Sequence, residues 1–413
     1  MRILSIHPRS WNGDYSMLCQ LRSMGHEVSA LEEKRDLPQG ARWLADFYMN
    51  PGDGIATFWY DPRRGSEKLL TWPMDRLFRR AFDGRNLVHR MWIIHKAVKH
   101  FRPDVVFCSD GFSYALPAAF LKRMGLLPMR LVVSYIGGDV LDCPQAAVGK
   151  RRTWLTDRLI KASLPAPEAL RPVSPLLEFI LLRDGADKAR IHVIPSHLVS
   201  SQAALSDVRV RRTAIGAAIR MRHGIPISAP LVITLGGNQQ GKGIDVLARA
   251  WPAVISAMPD ARWLLCGLHS DWQSKVVIPL LEAQHLLSSV TLAGELHGMD
   301  VFEHLAAADL NLNPSLCESL NMVTVEAAAT GTPTISSDGA GIADWILRYD
   351  AGLVVPAGES APLADAILRA FRNRAELARW SSAAQAMSGE FAIEHVAGQL
   401  LRLLNAHPAG DLS

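Results

Sequence analysis

The stretch Asn313–Gly331, which reads NPSLCESLNMVTVEAAATG, decides how the fold of this chain is interpreted. It places two glutamates, Glu318 and Glu326, eight positions apart, and an apolar run precedes it. A Thr-Gly-Thr-Pro sequence at residues 330–333 ends it. This pattern predicts the end of a strand, a loop, a helix that begins near Leu320, and a turn into another strand.

The start of this helix is suited to bind an anion. The N–H groups of Asn321, Met322 and Val323 are predicted to have no partner within the helix, and the positive end of the helix dipole lies behind them. Glu318 on the loop and Glu326 further along the helix could accept hydrogen bonds from hydroxyl groups at that site. An anion beside a polyol indicates a sugar nucleotide. Two solvated surface glutamates at this spacing remain the plain structural alternative.

Composition places the chain among ordinary globular proteins. It has 413 residues, of which 49% are hydrophobic and 20% charged, and this length predicts two or three domains. Its five cysteines are scattered without a Cys-x-x-Cys pair, which predicts free thiols in a reducing compartment. The chain opens on a strand pattern without a long apolar signal region, and no run is long enough to span a bilayer. We therefore expect a cytoplasmic protein.

Charge is distributed unevenly. Residues 1–195 have 29 Lys and Arg against 20 Asp and Glu, a net charge of +9, and the remainder has 15 against 20, a net charge of −5. Residues 75–102 are predicted to be helical and basic, and Lys150–Arg152 form a second basic patch. The basic residues of the predicted helix are Arg76, Arg79, Arg80, Arg85, Arg90, Lys96, Lys99 and Arg102. Such a surface could meet an anionic membrane or be a solvated face, and no nucleic-acid module is recognisable.

The first half reads as alternating strands and helices. Arg2–His7 is a predicted strand, a turn cluster with Gly13 follows, and Glu27–Leu31 is the next strand, which makes a βαβ unit. Residues 42–75 are a long aromatic-rich segment, either a functional loop or a packed insertion at the domain edge. A later predicted strand, Arg130–Ser134, runs into a Gly-Gly-Asp sequence.

The second half opens with a sequence close to a P-loop. The strand Leu231–Leu235 is followed by GGNQQGKG, in which Gly236, Gly241 and Lys242 fit the Gly-x4-Gly-Lys pattern. Gly243 stands where a P-loop has a serine or threonine hydroxyl on magnesium. The sequence therefore disfavours an NTPase and leaves a glycine-rich loop with one cation at a helix start.

Together these features resemble the retaining, family-4-type glycosyltransferases of GT-B architecture. The resemblance rests on the Glu-x7-Glu spacing, the Pro-Ser before it, Glu-Ala-x-Ala-x-Gly-x-Pro from Glu326, and Gly-Ile-x-Asp at residues 341–344. It implies an α/β fold with two Rossmann-like domains that face each other across a cleft. The implied divisions are an acceptor-binding domain at 1–195, a connection at 196–228, a nucleotide-sugar domain at 229–385, and a final helix at about 386–405 that packs back on the first domain.

The resemblance also implies roles for particular residues. Glu318 would contact hydroxyls of the donor sugar, Glu326 the ribose, and Lys242 the diphosphate, with Lys242 and Glu318 as the catalytic pair. The implied donor-binding set is Gly13, Gly237, Asn238, Lys242, Glu318, Ser319, Leu320, Asn321, Met322, Val323 and Glu326. Arg9 and Asp139 are assigned to the acceptor side. Two positions depart from the family, since Ile136 replaces a usual histidine and Gly237 lies where an arginine is usual.

The implied activity is transfer of a sugar from a nucleotide-diphosphate sugar to a glycan, lipid-linked or small-molecule acceptor, with retention of configuration. No Asp-x-Asp occurs, so we expect no metal clamp and no cofactor beyond the nucleotide sugar that serves as substrate. The expected location is the cytoplasm, and the basic predicted helices leave open a peripheral position on the inner face of a membrane. A sugar-nucleotide epimerase of the same fold and an inactive nucleotide-sugar-binding protein remain open, and a glycosidase is disfavoured because it needs no diphosphate site.

Overall fold

The computed structural model describes residues 1–7, 12–33, 47–49, 55–60, 87–146, 148–149, 154–236, 240–267 and 273–406. The chain divides into two compact units. The first unit combines residues 1–142, 149–199 and 393–413, and the second combines 143–148 and 200–392.

A seven-stranded sheet forms the centre of the described part of the first unit, in the order β3-β4-β2-β1-β5-β6-β9. Its strand pairs are parallel except for β3 with β4. The strands up to β9 are β1 (Arg2–His7), β2 (Glu27–Glu33), β3 (Phe47–Met49), β4 (Ala56–Tyr60), β5 (Val105–Cys108), β6 (Arg130–Tyr135), the short β7 (Asp142–Cys143) and β8 (Val148–Gly149), and β9 (Ala169–Pro172).

Helices cover this sheet. They are α1 (Asn12–Ser23), α2 (Leu87–Phe101), α3 (Ala115–Arg123), α4 (Trp154–Ser163) and α5 (Pro175–Arg183). A short 3₁₀ turn at Lys188–Arg190 follows α5. The central strands β5 and β6 are mainly apolar and buried, as expected of a parallel sheet that is covered on both faces.

The second unit has a six-stranded parallel sheet in its described part, in the order β12-β11-β10-β13-β14-β15. Its strands are β10 (Leu231–Leu235), β11 (Arg262–Cys266), β12 (Val290–Gly294), β13 (Leu310–Asn313), β14 (Thr334–Ser337) and β15 (Gly352–Val355). The chain winds outward from β10 through β11 and β12, then restarts on the other side of β10 with β13. The carboxyl ends of β10 and β13 therefore flank a topological switch point, where ligands bind in sheets of this kind.

Helices lie on both sides of this second sheet. They are α6 (Gln202–Val210), α7 (Arg212–Arg222), α8 (Ile244–Ala257), α9 (Ile278–Glu282), α10 (Met299–Ala307), α11 (Met322–Thr330), α12 (Ala343–Tyr349), α13 (Ser360–Arg372) and α14 (Arg374–Ser388). A π-helical segment at Gln273–Val277 precedes α9, and 3₁₀ turns occur at Pro144–Ala146, Gln240–Lys242, Leu287–Ser289 and Gly389–Phe391. The last helix, α15 (Ile393–Asn405), belongs to the first unit.

Helix α15 completes the core of the first unit. Its apolar residues recur at helical spacing and are buried in a cluster with the apolar face of α1. These residues are Val396, Ala397, Leu400, Leu401, Leu403 and Leu404. Each buried leucine contributes about 1.5–3 kcal/mol relative to exposure, so this helix is an integral part of the first unit.

Two tryptophans form the centre of the second core. Trp251 of α8 and Trp263 of β11 are fully buried, and their ring centroids lie 5.8 Å apart at an angle of 58°. Each indole N–H has a partner, since Trp251 donates to Ser289 Oγ and Trp263 to Thr234 Oγ1, both at 2.8 Å. The two large rings therefore enter the core without an unpaired donor.

Arg212 fixes the carboxyl ends of two helices in the second unit. Its guanidinium donates to the carbonyl oxygens of Ala306 at 3.1 Å, Ala308 at 3.1 Å and Gly331 at 2.6 Å. These carbonyls lie at the ends of α10 and α11, where a cation is favoured by the helix dipole. Helix α7 lies within residues 196–228, which were predicted to connect the domains. Through Arg212, this stretch holds the end of α11 in place.

The structure bears on two predictions about the first half. Of the two alternatives for the aromatic-rich segment 42–75, its described residues fit a packed insertion at the domain edge, because β3 and β4 are the outer strands of the sheet and Phe58 of β4 is fully buried. Arg90 does not belong to a basic outer face. It is buried, donates to the Ser113 carbonyl oxygen at 3.1 Å, and lies 4.8 Å from the centroid of the Tyr114 ring.

The structure describes only some of the other basic residues of the first half. Arg76, Arg79, Arg80, Arg85 and the patch Lys150–Arg152 lie outside the described residues. Within the described ranges, no helix combines the length and the apolar character that crossing a membrane requires.

Candidate donor-binding site

Two loops meet at the switch point of the second sheet. One follows β10 and includes the 3₁₀ turn Gln240–Lys242, and the other follows β13 from Pro314 to Asn321. The N–H of Leu316 donates to the carbonyl oxygen of Gly241 at 2.8 Å. Because backbone bonds to backbone here, the two loops are held in fixed alignment.

Gly243 is required by this close approach. Its φ is +65°, and a Cβ built on it would lie 2.0 Å from the carbonyl oxygen of Pro314. Both the left-handed backbone and the missing side chain are therefore needed where the two loops touch. The glycine that separates this sequence from a P-loop has a steric function here.

We expect Gly243→Ala to lower the free energy of unfolding by about 2–4 kcal/mol, because it combines backbone strain with an atomic overlap. Urea denaturation measures this change. Gly389→Ala is the matched control, because Gly389 has a helical φ of −60° and a Cβ there would meet no atom within 4 Å. Equal stability of the two variants would contradict the packing that we describe.

Lys242 and Glu318 form an ion pair across the two loops. The ammonium group of Lys242 donates to Glu318 Oε1, and the two side chains are 23% and 17% exposed. The other carboxylate oxygen, Oε2, accepts from Asn321 Nδ2 at 2.6 Å and lies 2.8 Å from Ser315 Oγ. The structure therefore brings together Lys242 and Glu318, the two residues that were predicted to act as a pair.

The backbone of Glu318 is fixed as firmly as its side chain. Its N–H donates to the carbonyl oxygen of Gly339 at 2.9 Å, and its carbonyl oxygen accepts from Gly341 at 3.0 Å. Gly339 allows this contact, since a Cβ there would lie 2.5 Å from the Leu316 carbonyl oxygen. The segment after β14 thus supports the Glu318 loop.

Helix α11 begins at Met322, two residues later than the predicted start at Leu320. Asn321 precedes the helix with a left-handed φ of +85°, and its side-chain oxygen accepts from the N–H of Thr324 at 2.7 Å. The capping side chain therefore satisfies one N–H of the first turn. The N–H groups of Met322 and Val323 have no carbonyl one turn earlier in the helix and are the ones suited to an anion.

Glu326 lies half-buried on α11. Burial raises the pKa of its carboxyl group to about 7, and the nearby Lys242 ammonium opposes this rise. Among the described residues it has neither a hydrogen-bond partner nor an ion-pair partner within 4 Å. A half-buried carboxylate whose oxygens are unoccupied can accept hydrogen bonds from ligand hydroxyls.

The other predicted site residues lie in different parts of the chain. Ser319 and Leu320 lie in the loop before α11, and Leu320 is buried. Gly13 lies in α1 of the first unit. Arg9, Gly237 and Asn238 fall outside the described residues.

Asp139, predicted on the acceptor side, is held by backbone hydrogen bonds. It is 1% exposed, and its carboxylate accepts from three backbone N–H groups, those of Gly111 at 2.7 Å, Gly137 at 2.8 Å and Ile136 at 3.2 Å. Buried carboxylates with several backbone donors connect loops. Asp139 therefore joins the loops after β5 and β6, and its place on the acceptor side stays a prediction.

Sequence reasoning missed the side chains that hold Glu318. Asn321 was assigned a role only through its backbone N–H, although an asparagine before an apolar run is a signal for a helix cap. Ser315 gave no comparable signal. A further pair, Ser16 Oγ and His197 Nε2 at 2.8 Å in the first unit, also had no sequence signature.

Comparison with known proteins identifies the family. Residues 229–373 match the family described as Glycosyl transferases group 1, and residues 15–197 match the Glycosyl transferase 4-like domain. A D-inositol 3-phosphate glycosyltransferase of Nocardia farcinica (strain IFM 10152) is 30% identical over 54% of this chain and 49% of its own length. A phosphatidyl-myo-inositol mannosyltransferase of Mycobacterium leprae (strain TN) is 29% identical over 44% of this chain and 47% of its own length. The matched stretch thus spans about half of each relative.

Solved structures show the same fold. Anabaena Alr3699/HepE in complex with UDP and glucose superposes with a TM-score of 0.69 at 17% identity, covering 98% of this chain and 99% of that one. The predicted α/β fold with two Rossmann-like halves is confirmed. The matching family domains, the curated relatives and this shared fold together place the chain among the GT-B glycosyltransferases.

Proposed function

We propose that this glycosyltransferase moves a sugar from a nucleotide-diphosphate sugar to a hydroxyl of a phosphate-bearing polyol, with retained anomeric configuration. The observation that supports it best is the meeting of Lys242, the start of α11 and the unoccupied Glu326 carboxylate at one sheet edge. These groups offer one cation, a set of N–H donors and a hydroxyl acceptor, which are the contacts that a nucleotide diphosphate needs.

The diphosphate would bind between Lys242 and the N–H groups of Met322 and Val323. Glu326 would accept the ribose hydroxyls, and Glu318 would accept hydroxyls of the donor sugar. HepE, which shares the fold, binds UDP and glucose, and this supports a nucleotide-sugar donor. Its low identity to this chain leaves the base and the sugar to experiment.

The chemistry would follow from where charge develops. The bond between C1 of the sugar and the phosphate oxygen breaks, a bond from C1 to the acceptor oxygen forms, and the acceptor proton passes to the leaving phosphate oxygen. Negative charge grows on the diphosphate during this step. Lys242 and the helix start face it, and each such preorganised donor stabilises a transition state by about 3–4 kcal/mol.

The acceptor class follows from charge and from the relatives. The first half of the chain has a net charge of +9, which favours an anionic acceptor. One relative is described as acting on D-inositol 3-phosphate and another on phosphatidyl-myo-inositol, and both compounds are phosphate-bearing polyols. We therefore propose an acceptor of this chemical class, either soluble or attached to a lipid.

A thermal-shift series with UDP, GDP, ADP and CMP and their sugar conjugates tests the donor. The correct nucleotide at a hundredfold excess over its Kd should stabilise the protein by about 3 kcal/mol. The conjugate that binds is then incubated with inositol phosphate, and the anomeric configuration of the first product is read by NMR. Conversion of the donor sugar without an acceptor would indicate an epimerase, and stabilisation by no nucleotide would refute the donor site.

A further inference from the structure

The two oxygens of the Glu318 carboxylate have different partners. Oε1 accepts from the ammonium group of Lys242, which comes from the other loop. Oε2 accepts from Asn321 at 2.6 Å and lies 2.8 Å from Ser315, and both of these residues belong to its own loop. Oε1 is therefore held by a long lysine side chain from another loop, and Oε2 is held by residues close to Glu318 in sequence.

The described backbone on both sides of the ion pair is held in place. Residues 241–243 are held by the Gly241–Leu316 hydrogen bond and by the contact of Gly243 with Pro314. The Glu318 backbone is fixed by its bonds to the segment after β14. A lysine has four rotatable bonds and strong attraction for phosphate, so a bound diphosphate can draw the Lys242 ammonium away without moving either loop.

Asn321 is the more dependable of the two partners on Oε2. Ser315 has one hydroxyl proton and lies 2.7 Å from Asn313 Oδ1 as well, so it cannot donate to both acceptors at once. The Asn321 amide uses both of its ends, since Oδ1 caps α11 through Thr324 and Nδ2 donates to Glu318. Asparagine is also among the few side chains that tolerate a φ of +85°.

We propose that Glu318 exchanges partners at Oε1 while Asn321 holds Oε2. In this view, which rests on the function proposed above, the incoming diphosphate takes the Lys242 ammonium, and Oε1 then accepts a hydroxyl of the donor sugar. Asn321 is a positioning residue that keeps the carboxylate aimed while its strongest partner is withdrawn. It thereby couples capture of the diphosphate to recognition of the sugar.

Asn321→Asp tests the contact before any ligand is involved. Aspartate caps helices and tolerates the left-handed conformation, so the helix start is kept. It loses the donor and places a second carboxylate against Glu318, and two carboxylates at such a distance share one proton. The folded protein then holds more protons than the unfolded chain above pH 4, so stability should fall as pH rises from 5 to 8.

Ser201→Asp is the control. Ser201 also caps a helix of the second unit, where its hydroxyl oxygen accepts from the N–H of Ala204 at 3.3 Å, and the first turn of that helix contains no acidic residue. Urea denaturation at pH 5 and pH 8 compares the two variants. A pH-dependent loss of stability beyond that of the unaltered protein, found only in Asn321→Asp, supports the contact. Identical pH profiles of the two variants would overturn it, whether or not the protein transfers sugar.

The second arm uses the nucleotide sugar that binds the unaltered protein. At pH 8, Asn321→Asp should raise the KM for this donor about ten- to a hundredfold, the loss expected for one hydrogen bond to a charged group. Affinity for the nucleotide diphosphate without the sugar should change far less. Lowering the pH toward 5.5 should restore part of the lost KM, since a shared proton supplies the missing donor. An equal loss of affinity for the sugar-free nucleotide, or no recovery at low pH, would overturn the exchange.

Discussion

Lys242→Ala is expected to lower kcat/KM for the nucleotide sugar by about 10²–10³-fold, the usual loss when one preorganised donor to developing negative charge is removed. The cation faces the proposed diphosphate from the 3₁₀ turn at Gln240–Lys242, and no other cation of the described residues forms an ion pair with Glu318. Folding should be affected little. Glu318 keeps its hydrogen bonds to its own loop, so the loss of this partly exposed pair should cost less than the roughly 3–5 kcal/mol of a fully buried pair.

Lys188→Ala is a suitable control for this variant. Lys188 forms a Lys–Glu pair with Glu178 in the first unit, so the same side chain and the same type of contact are removed elsewhere. Steady-state kinetics with the donor varied, together with thermal unfolding of both variants, separates a lost catalytic group from lost stability. Unchanged kcat/KM in Lys242→Ala would reject the role at the diphosphate.

Glu326→Gln should weaken donor binding and stabilise the empty protein at the same time. Burial raises the pKa of Glu326 to about 7 from an ordinary value of 4.5. The folded state therefore binds more protons than the unfolded state between these values, and stability falls as pH rises through that window. Above pH 7 the ionised carboxylate costs up to about 3 kcal/mol, which glutamine avoids. We propose that the carboxylate of Glu326 contributes to donor binding instead, so the loss of this charged acceptor should weaken donor affinity about ten- to a hundredfold.

Urea denaturation at pH 5 and pH 8 and calorimetric titration with the donor nucleotide measure the two effects. Glu282→Gln is the control, because Glu282 is an exposed glutamate of α9 in the same unit. The stability gain of Glu326→Gln should appear at pH 8 and largely vanish at pH 5. A stability gain that is equal at both pH values would contradict the raised pKa of Glu326, and unchanged donor affinity would contradict its assignment to the ribose.

The features that the sequence predicted share a local signature. Glu318, Lys242 and the start of α11 each follow an apolar strand of a parallel sheet, and the carboxyl ends of such strands meet at one edge. Glycine, asparagine and an apolar helical run marked these positions without any knowledge of the remaining chain. The position of the helix start differed by two residues, because the left-handed Asn321 ends the loop later than periodicity alone suggests.

The features that escaped prediction depend on distant partners. Arg212 lies in a polar, arginine-rich stretch, and its bonds to the carbonyl oxygens of α10 and α11 leave no periodic pattern. Arg90 looked like part of a basic face, because its burial depends on Ser113 and Tyr114, more than twenty residues away. The strands β3 and β4 were missed because three- and five-residue strands are too short to show clear alternation.

Gly243 also limits what evolution or a protein engineer can do with this loop. The sequence from Gly236 to Lys242 matches a P-loop except that the hydroxyl residue after the lysine is missing. The substitution Gly243→Ser would add that hydroxyl group. The new Cβ would overlap the carbonyl oxygen of Pro314, whose loop leads to Glu318. Converting the loop to a metal-dependent phosphate site would therefore displace the carboxylate assigned to the sugar. The steric overlap at position 243 therefore makes a metal-dependent phosphate site incompatible with the present position of Glu318.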